Sequence, residues 1–533
     1  MSTPDTIAPP NIPAQSAHAE NRTEVFAVHG ADPEVLAYAM AKYSRSALSM
    51  RQSLREISTQ RAEQFLNTFY FQYGHRSIAD LAHVAFAIER LSLLAAIVLV
   101  DEQRWDGQER STRYQNFLKS GWYLPDFGAD ADSRQLFTQT VEDLFAAYSR
   151  TSAAVFEALK TRVACPAEMK QDAYERTLKA RAFDVARYML PLATNTSLGQ
   201  IVNARTLETQ VSRLLSHPAA EIRDLGDKLR EAATGSAWNL GAEASADLQA
   251  KIAAADPSLG AESEALLTRE VRVAPTLVKY AQPNPYGMQS RAELAQAAAE
   301  VLAGIPLASA PMVDLVERTE TLEVELAATL IYSASHHPYR QIRDLLAGLT
   351  EARIAEIIEI GLRHRGRHDE LLRAFHAGAA LRFDILMDIG GFRDMHRHRR
   401  CTQIIQEFTH LHGYEIPESG DAAGLAEAGI VAEYRAAIDA ALAASRRIAE
   451  GSALEAEQSS LYLLPLATRI RSLFKMDFAE AVYISELRSG PAGHFSYRKV
   501  AWEMYLAVQR QHPSLARYFR VTDFNLPIDI LKR

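Results

Sequence analysis

The chain repeats itself. The heptapeptide YMLPLAT occupies Tyr188 to Thr194, and YLLPLAT occupies Tyr462 to Thr468. Near-identical segments, one in each half, mark a duplicated unit, and they tie the fold of one half to the fold of the other. The surroundings agree. AMAKYSRSA in the first half is similar to AATLIYSAS in the second. Each is followed by a helical stretch and then a Gly/His-containing turn, QYGHRSIADL from Gln72 and RGRHDELLRAF from Arg365. Each turn leads into alternating apolar residues, Phe86-x-Ile88 and Phe383-x-Ile385-x-Met387. A period of two suits a half-buried strand. Elsewhere helix signals dominate, as in the proline-free, alanine-rich run LAEAGIVAEYRAAIDAALAASRRIAEGSALEAE. The expectation is an α+β protein of two halves, each mostly helices around a small sheet. Between them RVAPTLVKYAQPNPYGMQ, with its prolines, Asn284 and Gly287, reads as an extended linker.

Composition removes several classes of function. The 533 residues carry a formal net charge of -8, so no global positive field draws the chain to nucleic acid or to an anionic membrane. The longest apolar run, Leu91 to Val100, is half of the roughly 20 residues that a bilayer requires. Two cysteines, Cys165 and Cys401, exclude a disulfide framework and a cysteine-based zinc site; no metal is expected, and the compartment expected is a reducing cytoplasm. Cys401, beside Arg400, reads either as a thiol of lowered pKa or as a small buried hydrophobe. Residues 1–22, with four prolines and no apolar core, read as a disordered tail.

Against that acidic background FRDMHRHRRCTQ, Phe392 to Gln403, concentrates positive charge just after Gly390-Gly391. Three readings fit this run: a solvated turn, a nuclear-localisation or nucleic-acid patch, or an anion site in which guanidinium forks hold phosphate oxygens. The first half has its own polar stretch, GQERSTRY, Gly107 to Tyr114. Ser111 and Arg113 are two apart, so a strand or loop points them the same way. That suits a phosphate, and equally a surface strand with a capping serine.

Taken together these motifs resemble the flavin-dependent thymidylate synthase family, in tandem duplicate. The family pattern is a G-H-x-[ST] turn, an R-H-R triplet followed by Ser, N-E-x-S-x-R-Y, then A-R-x-x-L-P-L and N-A-R. In the first half Gly74-His75-Arg76-Ser77, Gln108-Glu109-Arg110-Ser111-Thr112-Arg113-Tyr114, Ala186-Arg187 before Leu190-Pro191-Leu192, and Asn203-Ala204-Arg205 match it. The triplet position falls on acidic VDEQ, Val100 to Gln103. In the second half Arg393, Arg397-His398-Arg399 and Thr402 match, and Arg488 stands at the family's late substrate arginine, where the first half has Leu214 beside Arg213. The S-x-R-Y element is replaced by QEFTHLHGY, and Leu461 and Asp477 stand for Arg187 and Asn203. The halves are therefore degenerate in different places, as division of labour predicts.

The resemblance implies two tandem thymidylate-synthase-complementing-like repeats, residues 23–250 and 306–533, joined by a helical and extended linker at 251–305. It implies methylation of dUMP to dTMP with FAD, with NADPH and methylene-tetrahydrofolate as co-substrates, at composite sites between repeats. A flavin enzyme of altered reaction and a non-catalytic nucleotide- or flavin-binding homologue are the alternatives. Arg488 and Arg213 are the expected catalytic cations. Gln108, Glu109, Ser111, Arg113, Arg187 and Arg393 are expected at the substrate. His75, Ser77, Asn203, Arg397, His398, Arg399 and Thr402 are expected at the cofactor. A homodimer forming a pseudo-tetramer is expected, with no nucleic acid and no membrane as partner.

Overall fold

A computed structural model of the chain describes residues 26, 28, 30–42, 50–56, 76–367, 369–417 and 424–531. The tail at 1–22 and His75 lie outside them. The mixed α+β architecture and the duplication are as expected. Among the described residues each half holds one small antiparallel sheet. In the first, β1 (His83–Ser92), β2 (Asp106–Glu109) and β3 (Asn195–Asn203) are ordered β1-β3-β2. In the second, β4 (Val313–Leu315), β5 (Leu381–Asp388), β6 (Thr402–Ile405) and β7 (Arg469–Met476) are ordered β4-β5-β7-β6. The β5-β7-β6 unit repeats β1-β3-β2. Register fixes the correspondence: Asp106 pairs with Ile201 as Thr402 pairs with Lys475. Counting on from there, Ile405 stands for Glu109, Glu407 for Ser111 and Thr409 for Arg113.

Each central connection is capped in the same way. The helix Leu93–Leu99 starts at Ser92, and its counterpart Ile389–Met395 starts at Asp388. Asn203 caps Ala204–Leu215, and Asp477 caps Phe478–Ser489. Side-chain oxygens at these positions satisfy otherwise orphaned amide donors. A second set of contacts is duplicated with its chemistry exchanged. The Ser92 hydroxyl donates to Glu221 at 2.6 Å, whereas in the second half Asp388 accepts from the Ser496 hydroxyl. Gly391 makes room for that contact, since a Cβ there would sit 2.5 Å from Ser496 Oγ and 2.9 Å from Met387 Cε.

The two heptapeptides meet each other. Leu192 N donates to Leu464 O at 3.0 Å, and Leu466 N to Leu190 O at 2.9 Å. Outside them Ala193 N donates to Tyr462 O and Ala467 N to Tyr188 O. Pro191 faces Pro465 at the centre, so the pairing is antiparallel and two-fold symmetric. Proline has no N–H to leave unpaired there. The same segments hold the first turns of the capped helices: Leu94 N donates to Leu192 O, and Gly390 N to Leu466 O.

One hydrophobic core runs through both halves. It includes Leu93, Phe117, Phe137, Leu190 and Leu192 from the first, and Phe383, Phe392, Leu464, Leu466 and Phe474 from the second. A smaller core around Leu294, Tyr332, Ile342, Ile357 and Leu473 belongs to the second half. The stretch expected as a linker is divided between them. Ala274, Leu277 and Val278 enter the shared core, while the helix Pro285–Val301 brings Leu294, Ala297 and Ala298 into the smaller one. No helix among the described residues is long and apolar enough to cross a membrane.

A shared core makes the halves one cooperative unit. Leu192→Ala, at a fully buried position on the two-fold, should cost about 2–5 kcal/mol. In calorimetry the whole chain should still melt in one transition, shifted down. Two separated transitions, with only one of them moved, would show that the halves fold independently.

Candidate functional site

The basic run begins on a helix and ends in a turn. The helix Ile389–Met395 buries Arg393 and carries Asp394, and the chain turns through Arg397 to Arg400 before β6. Gly390 lets a neighbour from the first half come close, since a Cβ there would lie 3.3 Å from Arg187 Nε. Arg187 is 1% exposed and closes the helix Gln171–Ala186. Its Nη1 reaches Asp394 Oδ2 at 3.4 Å. From the end of β2, Glu109 Oε2 accepts from Arg397 Nη2 at 3.1 Å and from Arg393 Nη2 at 3.3 Å. Burial pushes the Asp394 carboxyl up, but Arg187, Arg397, Arg113 and Arg488 together outweigh it and hold its pKa below 3.8. Cations of both halves thus converge on one carboxylate within one chain.

Arg113 is fully engaged. Its Nε donates to Asp184 Oδ1 at 2.8 Å, Nη1 to the Tyr497 hydroxyl at 2.7 Å, and Nη2 to Asp184 Oδ2 and Ala492 O. Burial alone lowers its pKa, but the Asp184 pairing reverses that and raises it. Arg488 lies over the Tyr497 ring at 5.4 Å, and its Nε donates to His398 Nε2 at 2.8 Å. Arginine only donates, so His398 Nε2 is the accepting atom and its proton sits on Nδ1. Nδ1 faces Glu480 Oε1 at 3.7 Å. Arg399 lies over Trp105 at 5.3 Å, and burial lowers its pKa to about 10 against the pull of Asp101.

Several buried polar atoms here have no hydrogen-bond partner: Arg187 Nε and Nη2, Arg393 Nε, Arg399 Nε and Nη2, and Glu109 Oε1. Arg113, Arg187, Arg393, Arg397 and Arg488 face four carboxylates, Glu109, Asp184, Asp388 and Asp394. Buried cations in excess of their counter-charges are costly and leave the cluster receptive to an anion. Aligned guanidinium donors suit phosphate oxygens.

Other candidates lie elsewhere or are already occupied. Arg213 is pinned by Glu102, 2.7 Å from Nη2, on the opposite side of the pseudo-symmetry. Asn203 Oδ1 is used in capping Thr206 N at 2.8 Å, and Asp477 serves the same end at Glu480 N, so that difference between the halves is not a loss. Ser111 Oγ accepts from Arg113 N in a local turn. Gln108 is exposed at the sheet edge, Ser77 is exposed in the turn Arg76–Leu81, and the Thr402 hydroxyl faces His376 Nδ1 at 3.3 Å. Cys401 is buried and its thiol is pushed up to about 12 by burial, the inert reading of the two. Asp394, Asp184, Glu480 and Tyr497 escaped sequence reasoning. Asp394 alone left a signal, an acid inside a basic run. At the counterpart positions Thr409, Leu461, Asp101, Glu102 and Leu214 stand for Arg113, Arg187, Arg397, His398 and Arg488, so none of these five residues is matched there.

Residues 26–236 and 314–514 match the family described as thymidylate synthase complementing protein. A UPF0159 protein of Chlamydia muridarum is 28% identical over 534 residues, covering 92% of this chain and 91% of that protein. A UPF0159 protein of Thermoplasma acidophilum is 25% identical, covering 91% and 94%. A flavin-dependent thymidylate synthase of Clostridium tetani is 25% identical over 200 residues, 37% of this chain and 76% of that protein. A solved flavin-dependent thymidylate synthase from Helicobacter pylori, complexed with FAD and dUMP, aligns at 17% identity over 38% of this chain and 89% of that one; its TM-score of 0.26 is too low to carry an argument.

The His398 tether has a pH signature. Burial, the largest influence, holds the His398 pKa below 6.5, while the facing Glu480 pulls it up. His398 therefore stays neutral, and able to accept from Arg488, until the pH falls below the ordinary histidine range. Followed by NMR, its imidazole should titrate below 6.5, and in Glu480→Gln at a still lower pH. A titration at or above 6.5, or an upward move in the variant, would contradict this tether.

Proposed function

The chain belongs to the thymidylate synthase complementing protein family, and from that membership we propose that it methylates dUMP to dTMP with FAD, NADPH and methylene-tetrahydrofolate at one composite site per chain. The observation that supports this most is the convergence of Arg113 and Arg187 from the first repeat with Arg393, Arg397 and Arg488 from the second around Glu109 and Asp394. A nucleotide phosphate and the phosphates of a dinucleotide supply the counter-charge that this cluster lacks.

The roles follow from which donors are free. Arg187, buried with Nε and Nη2 unpartnered, takes the nucleotide phosphate. Arg113 braces that side through Asp184 and Tyr497 instead of contacting phosphate directly, which revises the role its motif implies. Arg399 and Arg397 take the flavin-side phosphates, since Arg399 also keeps buried donors free. His398 is a positioning residue and not part of the phosphate clamp: it fixes Arg488 by Nε and leaves the terminal amino groups to face the pyrimidine. A cation at the N3/O edge favours the ionised ring and so raises electron density at the carbon to be methylated. FAD, when bound, supplies the hydride chemistry, and the residues supply orientation and charge. The chain needs no nucleophilic cysteine, in keeping with the raised pKa of Cys401.

Both clamps come from a single chain in this reading, and two chains associate as a homodimer of four repeats. Purified protein should carry a flavin absorbance and transfer a methyl group to dUMP. Arg187→Ala should weaken dUMP binding by about 10- to 100-fold, the loss of a charge-assisted contact, and keep its flavin. Arg397→Ala should lose flavin. Mixing the two variants should restore no activity even when the chains exchange. Restored activity would mean that the clamps meet across chains, and a wild type with neither flavin nor methyl transfer would overturn the assignment.

A further inference from the structure

The turn that replaces the R-H-R triplet in the first repeat lies directly against the triplet of the second. Asp101 stands where Arg397 stands in the other half. Its Oδ1 is 3.0 Å from His396 Nε2, and the same carboxylate pairs with Arg373, whose Nη2 also donates to the Asp101 carbonyl at 2.9 Å. His396 is buried and stacked on Phe392 at 4.9 Å between centroids, so it is held on both sides. Four residues on, Trp105 lies under Arg399. The indole is fixed in turn: its Nε1 donates to Gln200 Oε1 at 2.8 Å, and Gln200 is paired with the buried Gln210. The acidic turn is thus a floor on which the basic turn rests. Its carboxylate is engaged by the Arg373 guanidinium and the His396 imidazole of the second repeat and is not left bare to repel a ligand.

Two-fold symmetry gives the reason. The heptapeptide pairing brings counterpart turns face to face, so an identical repeat would set one cationic triplet against another. Desolvated like charges at close range are costly. Replacing one triplet by an acid removes that repulsion and converts it into a hold on the other.

Resting on the FAD reading above, we propose that Asp101 and Trp105 are positioning residues for the cofactor-phosphate clamp, holding the Arg399 guanidinium where it meets phosphate. This contrasts with a simple repulsive role, in which the acids of the first repeat only exclude flavin from a vestigial site. The two roles predict opposite signs. On removal of the charge, repulsion predicts tighter binding or extra flavin, whereas positioning predicts weaker binding.

FAD titrated into apo-protein of wild type, Asp101→Asn, Asp101→Glu and Trp105→Leu decides between them, with thermal midpoints recorded in parallel. The expected result is a Kd raised at least tenfold in Asp101→Asn and several-fold in Trp105→Leu, near-wild-type affinity in Asp101→Glu, and one FAD per chain throughout. Unchanged or tighter binding in Asp101→Asn, or more than one FAD per chain, overturns the proposal. If Asp101→Asn does not fold, Trp105→Leu decides alone, and unchanged affinity in it overturns the proposal. Inorganic pyrophosphate, titrated by calorimetry into the same proteins, separates this inference from the reading beneath it. A wild type that binds pyrophosphate but no FAD overturns the cofactor assignment, and the variants are then ranked on pyrophosphate by the same criteria. A wild type that binds neither overturns both.

Discussion

Four backbone hydrogen bonds between YMLPLAT and YLLPLAT set the rest of the structure. They lie on the pseudo-two-fold axis, with Pro191 against Pro465. Because each heptapeptide also holds the first turn of a helix, the axis fixes where both of those helices begin. One of these helices leads into the basic turn and the other into its acidic counterpart. Packing then follows: leucines of both segments are fully buried in a core that neither half completes by itself. A duplicated sequence here does not yield two beads on a string. It yields an internal dimer whose interface is the hydrophobic core.

An interface of this kind makes the repeats' chemistry interdependent. Counterpart turns face each other, so charge in one constrains charge in the other. The same exchange of partners appears where it is electrostatically neutral, in Ser92 with Glu221 against Asp388 with Ser496. At the basic turn it is not neutral, and one repeat carries the cations while the other carries their counter-charge. Loss of the motif in complementary places is thus a consequence of geometry as much as of history. Arg187 of the first repeat and Arg397 of the second approach one another through Asp394, and the counterpart location retains none of these cations.

The fold was largely legible in the sequence. The heptapeptides, the Phe-x-Ile strands and the helical runs placed the repeats, because they depend on local periodicity and on near-identity between halves. What they could not convey was the contact between the heptapeptides, since pairing across 274 positions of sequence leaves no local pattern. The site was legible by residue type but not by hydrogen-bond state. Arg113, Arg187 and Arg488 each stand within four residues of an acid along the chain, yet one is saturated, one keeps two buried donors and one is tethered by a histidine. Their partners Asp184, Tyr497 and Glu480 come from distant segments and carry no motif. Arg213 and Arg488, neighbours by analogy between the halves, fall on opposite sides of the two-fold and cannot share a site. The acidic VDEQ turn gives no sign of its partners, because the Arg373 and His396 that engage Asp101 are far away in sequence.

In the proposed arrangement the two repeats build one anion-binding site per chain and not two. Calorimetric titration of dUMP into the flavin-loaded protein counts those sites directly. Saturation at one dUMP per chain is expected. Two equivalent sites per chain would contradict it.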